Sequence, residues 1–300
     1  MTAAFPAVYR KRFLLLRNPA IRAEIAALDA ELDCQRIVHL LACYEFPFDI
    51  TRSLELALFH TYGSVSVSRL LDRTGEFRKF GQKRYDDTRV LIAHCLEDGY
   101  ALGCGQAAIA RMNSMHGHFR IPNDDFLFVL STFISYPVDW LGRNGYRPLT
   151  AHEQRAWFVF FRNLGQRMGI SDIPETWPLF QQWVDAYEAK NLVYADSNRH
   201  VANATVAIFA GWFAWPFKAL VEPAVRALIS DQLRLAFGYP KPAAWFSALV
   251  SAALWLRKHV KALINIEHHP KLLANTRNRT YPGNSYTIEG IAPSYLKERR

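Results

Sequence analysis

The stretch of sequence that decides the fold is TAHEQRAWFVFFRNLGQRMG, residues 150–169. Thr150 and Glu153 have the spacing of a capping box, in which each side chain bonds the other residue's backbone N–H at the start of a helix. The apolar side chains that follow recur with the period of one helical face: Trp157, Phe160, Phe161 and Leu164. Gly169 is a typical helix stop, so the stretch predicts one helix with a buried aromatic face.

Similar helical patterns fill most of the chain, and no alternating strand pattern of convincing length or β-α-β rhythm interrupts them. One further helix is predicted to begin at Pro19, a second covers about 51–62, and a shorter one begins after Gly63. Longer helices are predicted from Asp86 to about Met115 and from Asn123 to about Gly142. Another begins at Pro174-Glu175, and the last two cover about 198–229 and 241–263. We therefore predict an all-α fold with a single multi-helix domain over 45–264. An N-terminal helical segment is expected over 1–44, and an irregular C-terminal tail packed on the domain over 265–300.

Composition indicates a globular chain and narrows the classes of function. Half of the residues are apolar, 14% are aromatic and 21% are charged, which is too apolar for a disordered chain. The net charge of +9 favours anionic partners such as phosphates and anionic lipid. The basic residues are dispersed apart from clusters at 10–12 and 297–300, and no zinc-finger or RNA-binding signature is found. We therefore expect no nucleic-acid partner.

Cysteine usage and the first residues bear on the compartment. The four cysteines lie in helical runs and form no C-x-x-C motif: Cys34, Cys43, Cys95 and Cys104. This pattern favours small buried side chains over a redox site or covalent cofactor attachment. The opening MTAAFP lacks the apolar segment of a signal peptide, so a cytoplasmic location is expected.

One apolar run raises the question of a membrane. Residues 200–217 contain no Asp, Glu, Lys or Arg and reach the lower limit of spanning length. Asn203 and Pro216 interrupt the run, which favours a buried helix of a large α-domain. Peripheral membrane contact through its tryptophans is the alternative.

Common catalytic motifs are missing from the sequence. There is no GxGxxG, P-loop, H-E-x-x-H or G-x-S-x-G. No glutamate has a histidine three residues later, which excludes the helical di-iron motif. What remains is a cofactor held by few protein ligands.

The strongest candidate for such a ligand lies in RMNSMHGHFRIPNDD, residues 111–125. His116 falls at a predicted helix end before Gly117, and an imidazole on a helix is a common axial ligand of haem iron. Arg120 would lie near the same face if the turn stayed helical, where it could pair with a haem propionate. Two alternatives stay open, because a helix C-terminus favours histidine without any metal and His116 with His118 could bind a metal ion.

Three further strings have structural and functional interpretations. Arg73-Thr74-Gly75 is either a helix C-cap with a solvated Arg or a pair of hydrogen-bond donors over an oxygen-binding face. Arg84-Tyr85-Asp86-Asp87-Thr88 is first of all typical of a helix start. His268-His269, in the tail, is expected to be exposed.

The order of these strings resembles the catalytic domain of the MpaB / rubber-oxygenase family over about residues 45–230. The resembling strings are LLDRTG (70–75), KRYDDT (83–88), HGHFRIPNDD (116–125), YRPLT (146–150) with Glu153 and Ala156, GQRMGISDIPET (165–176) and, more weakly, YPGNSY (281–286). The family includes the latex clearing proteins and an oxygenase that shortens a prenyl side chain. Ordered co-occurrence carries the resemblance, since no single string is diagnostic.

The resemblance implies an all-α fold that encloses a haem pocket with non-covalent haem b. It also implies dioxygen as co-substrate and oxidative cleavage of a C=C bond in an isoprenoid or other lipophilic substrate. It assigns His116 as the iron ligand, Arg84 and Arg120 to cofactor binding, and Arg73 and Thr74 as catalytic donors on the oxygen side. Aromatic side chains are candidates to line the pocket: Phe126, Phe128, Trp157, Phe158, Phe161, Trp212 and Phe213.

The sequence departs from the rubber oxygenases at one position of this match. Those enzymes have a Lys before the Thr and an Arg three residues before that Lys, whereas this chain has Arg73 and Leu70. We therefore expect a lipophilic substrate smaller than latex. Two other classes stay open: a non-catalytic haem-binding or sensing protein that shares His116, and a haem-free helical protein at the membrane periphery.

Overall fold

The computed structural model describes residues 19–264 and 270–293, which contain thirteen α-helices and no β-strand. The all-α prediction is confirmed. In chain order the helices are α1 (Pro19–Ala27), α2 (Cys34–Leu40), α3 (Pro47–Thr61), α4 (Val65–Thr74), α5 (Glu76–Asp98), α6 (Gly103–His116), α7 (Asn123–Asn144), α8 (Ala151–Arg167), α9 (Trp177–Asn191), α10 (Asp196–Ala210), α11 (Val221–Leu228), α12 (Asp231–Ala236) and α13 (Ala244–Leu263). The basic clusters at 10–12 and 297–300 and the pair His268-His269 lie outside the described residues.

The main core is built around α8, as its sequence predicts. Thr150 Oγ1 accepts a hydrogen bond from the backbone N–H of Glu153 at 3.2 Å, and the Glu153 carboxylate accepts one from the Thr150 N–H at 2.8 Å. The capping box therefore forms and fixes where α8 begins. Trp157 and Phe160 are fully buried in a cluster that extends from α1 to α9. Of the cysteines, Cys34, Cys43 and Cys95 are buried and Cys104 is half-buried, and no disulfide joins any two of them.

The single helix predicted from Asp86 to Met115 is wrong. α5 already begins at Glu76, so Asp86 lies inside it, and it ends where Gly99 takes a positive φ of 73°. α6 then begins at Gly103 and packs back against α5. A Cβ on Gly105 would lie 1.5 Å from the carbonyl oxygen of Gly99, so this close approach of two backbones requires glycine.

The helix predicted over 198–229 is also divided. α10 ends at Ala210, Gly211 follows, and Pro216 lacks the N–H that a continuing helix needs. A 3₁₀ turn over Phe217–Leu220 then leads into α11. α9 begins at Trp177, later than predicted, with a proline in its first turn. In the ranges 19–264 and 270–293, no helix combines the length and apolarity needed to cross a bilayer.

α13 is attached to the bundle through buried charges. Lys261 and Asp49 are both fully buried, with their charged atoms 2.9 Å apart, and Arg257 also pairs with Asp49 at 2.8 Å. These contacts hold one side of α13 against α3. The other side faces solvent, where Trp245 and Trp255 are 70% and 61% exposed.

Candidate functional site

A largely apolar cavity of about 230 Å³ lies among α3, α4, α5, α6, α7 and α8. A single water needs only about 10–15 Å³, so the cavity accommodates a much larger group. Of the five predicted site residues, Thr74, Arg84 and His116 line it, and Arg73 and Arg120 do not. Among the aromatic candidates, Phe126 and Phe161 line it, and the other five do not.

His116 is the last residue of α6, and its ring lines the cavity. Its Nδ1 atom is buried and receives no hydrogen bond from any described residue. The ring packs edge-on against Phe126, with ring centroids 5.4 Å apart. Burial, reinforced by the positive charge of Arg84, lowers the pKa of His116 to about 4. A neutral imidazole with a free ring nitrogen in an apolar cavity fits a metal ligand.

Arg84 lies on α5 and places a cation in the same cavity. Its Nη1 donates a hydrogen bond to Thr88 Oγ1 one turn later, and its guanidinium lies 5.7 Å from the ring centroid of Phe77. No salt bridge to Arg84 is found between described residues. An anionic group on a ligand in the cavity could therefore pair with it.

Thr74 ends α4, and Gly75 follows with a positive φ of 68°, as a helix C-cap requires. The Thr74 hydroxyl donates to the Leu71 carbonyl at 2.7 Å, and the side chain borders the cavity. Thr74 therefore both ends the helix and lies beside the cavity. The hydroxyl reaches a ligand only if it rotates away from Leu71.

Arg73 and Arg120 are exposed and lie outside the cavity lining. α6 ends at His116, so Arg120 does not share its helical face. The imidazole of His118 is exposed as well, and its Nδ1 lies 2.8 Å from the Ser114 carbonyl oxygen. Of the H-x-H pair, only His116 lines the cavity.

Buried acids line the cavity too, and sequence reasoning did not select them. Tyr187 and Ser66 donate hydrogen bonds to Asp125 at 2.6 and 2.5 Å. Asp87 accepts from Tyr281 at 2.5 Å, which attaches the tail to the wall of the cavity. The sequence signal for the contact with Asp87 was the YPGNSY string, whose first residue is Tyr281.

A second group of metal-binding side chains lies beside the turn between α5 and α6. Ligand atoms of His94, Asp98 and Cys104 lie within 4.8 Å of one another. Both ring nitrogens of His94 already have partners, Asp98 at 3.2 Å and Tyr286 at 3.0 Å. Burial raises the pKa of Cys104, which disfavours the thiolate. Hydrogen bonding thus accounts for this cluster without a metal.

About two thirds of the chain matches a known protein family. Residues 64–258 match the model of a family described as ER-bound oxygenase mpaB/B'/rubber oxygenase, catalytic domain. The chain belongs to this family. The match includes all five predicted site residues, and it begins and ends later than the resemblance predicted from the sequence.

Three fungal members of the MpaB / rubber-oxygenase family are similar over most of this chain. The ER-bound oxygenase mpaB' of Penicillium brevicompactum is 31% identical over 73% of this chain and 56% of its own length. The ER-bound oxygenase mpaB of Penicillium roqueforti is 30% identical over 65% of this chain and 72% of its own length. The ER-bound oxygenase mpaB of P. brevicompactum is 32% identical over 68% of this chain and 57% of its own length. The chain therefore spans little more than half the length of two of these relatives.

Proposed function

We propose that this chain is an oxygenase that uses haem b and dioxygen to cleave a C=C bond in an isoprenoid or other lipophilic substrate. Family membership supports oxygenase chemistry, because the matched relatives are named oxygenases. The observation that carries the cofactor assignment is the neutral ring of His116, whose buried Nδ1 lacks a described partner beside an apolar cavity.

The residues of the cavity would include a ligand, a cation, buried acids that already accept hydrogen bonds, and apolar walls. His116 would hold the iron, and Arg84 would pair with a propionate. When bound, haem would supply the activation of dioxygen. The apolar side chains would exclude water and hold the lipophilic part of the substrate, and those contributed by α7 and α8 are Phe126, Val129, Leu130, Phe133, Phe161 and Leu164.

Thr74 is the proposed donor on the oxygen side, because its hydroxyl borders the cavity. A hydrogen bond directed at developing negative charge lowers the barrier of a reaction. Arg73 and Arg120 stay in the proposal as residues whose long side chains must turn inward from solvent. Replacing each residue tests these roles individually.

We propose residues 45–264 as the haem-binding unit, with the tail packed on it. The Arg111 Nε donates to the Ile291 carbonyl at 2.6 Å, and the Lys83 ammonium donates to the Ala292 carbonyl at 2.6 Å. These contacts support tail packing. α1 and α2 contribute Ile21 and Ile37 to the same core, so residues 19–44 are structurally continuous with the unit.

We also propose peripheral membrane contact through α13 and the turn before α11. Exposed aromatic side chains there include Trp215, Phe217, Trp245 and Trp255. Exposed aromatics beside basic residues are typical of surfaces that lie in a bilayer interface. The relatives' description as ER-bound supports this proposal.

The visible spectrum of the purified protein tests the proposed function. A Soret band that His116→Ala removes is expected. A haem-binding or sensing protein would show the same band, so the second arm measures dioxygen consumption with an isoprenoid alkene such as squalene. Consumption together with carbonyl products is expected, and a haem-loaded protein that consumes none would contradict catalysis.

A further inference from the structure

A second cavity, of about 110 Å³, adjoins the first. It is lined by residues of α3, α5, α7, the turn before α3 and the tail. Four residues line both cavities: Leu58, Thr88, Ile92 and Phe133. The side chains of these four residues therefore form the boundary between the two spaces.

Residues of α3 line both cavities, and their order shows that the two cavities follow one another along this helix. Thr51, Leu54 and Leu58 line the second cavity, and Leu58, Thr61 and Tyr62 line the first. These positions are three or four residues apart, so they form one stripe along the helix. The stripe from Thr51 to Tyr62 is about 16 Å long at 1.5 Å per residue. Two adjoining, largely apolar cavities along a line of this length fit an extended chain better than a compact molecule.

The second cavity has polar as well as apolar lining residues. Arg89 lines it, and its Nη2 is buried with no hydrogen-bond partner among the described residues. The Nε atom of Arg89 lies 3.7 Å from the carboxylate of Asp86, which leaves the outer part of the guanidinium free of that acid. A buried donor without an acceptor is costly, so this geometry favours a ligand that supplies an acceptor.

Two carboxyl groups also line the second cavity, and each already has a partner. Glu55 accepts a hydrogen bond from Tyr85 and pairs with Arg52 at 2.7 Å. Glu97 accepts one from the Leu273 N–H at 2.5 Å, and burial raises the pKa of Glu97 to about 8. Glu97 is therefore largely protonated at neutral pH and repels an incoming anion little.

We propose that the second cavity binds the distal end of an elongated aliphatic or isoprenoid substrate, and that this end carries a carboxylate bound by Arg89. The inference rests on the proposed function only in placing the reacting part of the chain in the first cavity. It specifies the substrate class as a long-chain acid.

The test measures binding of three probes to the full chain by isothermal titration: oleate, oleyl alcohol and octanoate. Oleate is expected to bind about 10-fold more tightly than oleyl alcohol, because a hydrogen bond to a charged group contributes about 1.5 kcal/mol. It should also bind more tightly than octanoate, which is too short to fill both cavities. Equal affinities for oleate and oleyl alcohol, or no binding of oleate, would overturn the proposal.

Two variants locate the binding. Arg89→Gln is expected to abolish the preference for oleate over oleyl alcohol. Ala93→Trp fills the second cavity and should weaken oleate binding about 10-fold while leaving octanoate unchanged. Ala189→Trp, on the exposed face of α9, is the matched control. Ala93→Leu gives the same test if the tryptophan variant does not fold. Wild-type binding by both the Arg89 and Ala93 variants would refute the subsite.

Haem content, read from the Soret band of the same samples, keeps this inference separate from the proposed function. Oleate binding that depends on Arg89 and Ala93 in protein unable to bind haem would support the subsite and contradict the haem assignment. A Soret band lost in Arg89→Gln would make Arg89 a haem residue and overturn the subsite.

Discussion

Arg84 and His116 line the same cavity from different helices, and the positive charge of Arg84 adds to burial in lowering the pKa of His116 to about 4. Burial and the cation together keep the imidazole neutral, the form that binds a metal. The same cation can pair with an anionic substituent of the bound group. One residue therefore supports both requirements of a haem site.

Replacing Arg84 tests this relationship. Arg84→Gln removes the charge, so haemin affinity is expected to fall about 10-fold, the equivalent of one charge-assisted hydrogen bond. The measurement is a haemin titration followed at the Soret band. Arg78→Gln, an exposed arginine on the same helix, is the control and should titrate like wild type. Equal affinity in both variants would remove Arg84 from the site.

Thr74→Val tests the donor on the oxygen side. If the hydroxyl turns toward the bound ligand, the affinity of ferric protein for azide should fall about 10-fold with unchanged haem content. If it stays on the Leu71 carbonyl, the change should cost only about 1 kcal/mol of helix-end stability or less. Arg73→Ala is expected to weaken azide binding less than Thr74→Val, because the exposed Arg73 side chain must first turn inward. Weaker azide binding in Arg73→Ala alone would reverse the two assignments.

Local sequence signals predicted most of the helices, and the break that they missed lies where one helix folds back on the one before it. The capping box of Thr150 and Glu153 involves neighbours, so α8 could be predicted. The close approach of Gly105 to Gly99 depends on how α6 folds back on α5, and a helical period carries no information about it. The break between those helices was therefore missed.

The candidate site shows the same division. The string around His116 identified it as a candidate ligand. His94 also lies in a helical run, and the one local sign that its ring already has a partner is Asp98, four residues later. The second partner of His94 is Tyr286, nearly two hundred residues away in sequence. Which histidine keeps a free nitrogen therefore depends on tertiary packing.

Acid stability should depend on His39. Burial, together with the charge of Arg36, lowers its pKa to about 4 from a usual value of 6.5. Between these pH values the unfolded chain binds the extra proton, so the free energy of unfolding falls as pH drops from 6.5 to 4, by about 3 kcal/mol. His39→Leu should remove this part of the dependence in urea unfolding, and His118→Leu, at an exposed position, should not. Parallel curves for wild type and His39→Leu would contradict the assignment.

Membrane contact through α13 predicts binding to vesicles that contain phosphatidylserine, with release by high salt or carbonate. Trp245→Gln with Trp255→Gln should reduce co-sedimentation several-fold, because interfacial binding scales with buried apolar area. Leu32→Gln with Leu102→Gln removes exposed apolar side chains elsewhere and is the matched control. Retention in cell membranes until detergent is added would show an integral rather than a peripheral attachment.

The haem content of His116→Ala, compared with His118→Ala, decides whether the cavity is a haem site. Both variants should fold, since neither position carries core packing. His116→Ala is expected to purify with little haem and no clear Soret band, because it lacks the only imidazole that lines the cavity in the described structure. His118→Ala should keep wild-type occupancy, since its ring is exposed. Wild-type haem occupancy and Soret position in His116→Ala would contradict the assignment of His116 as the iron ligand.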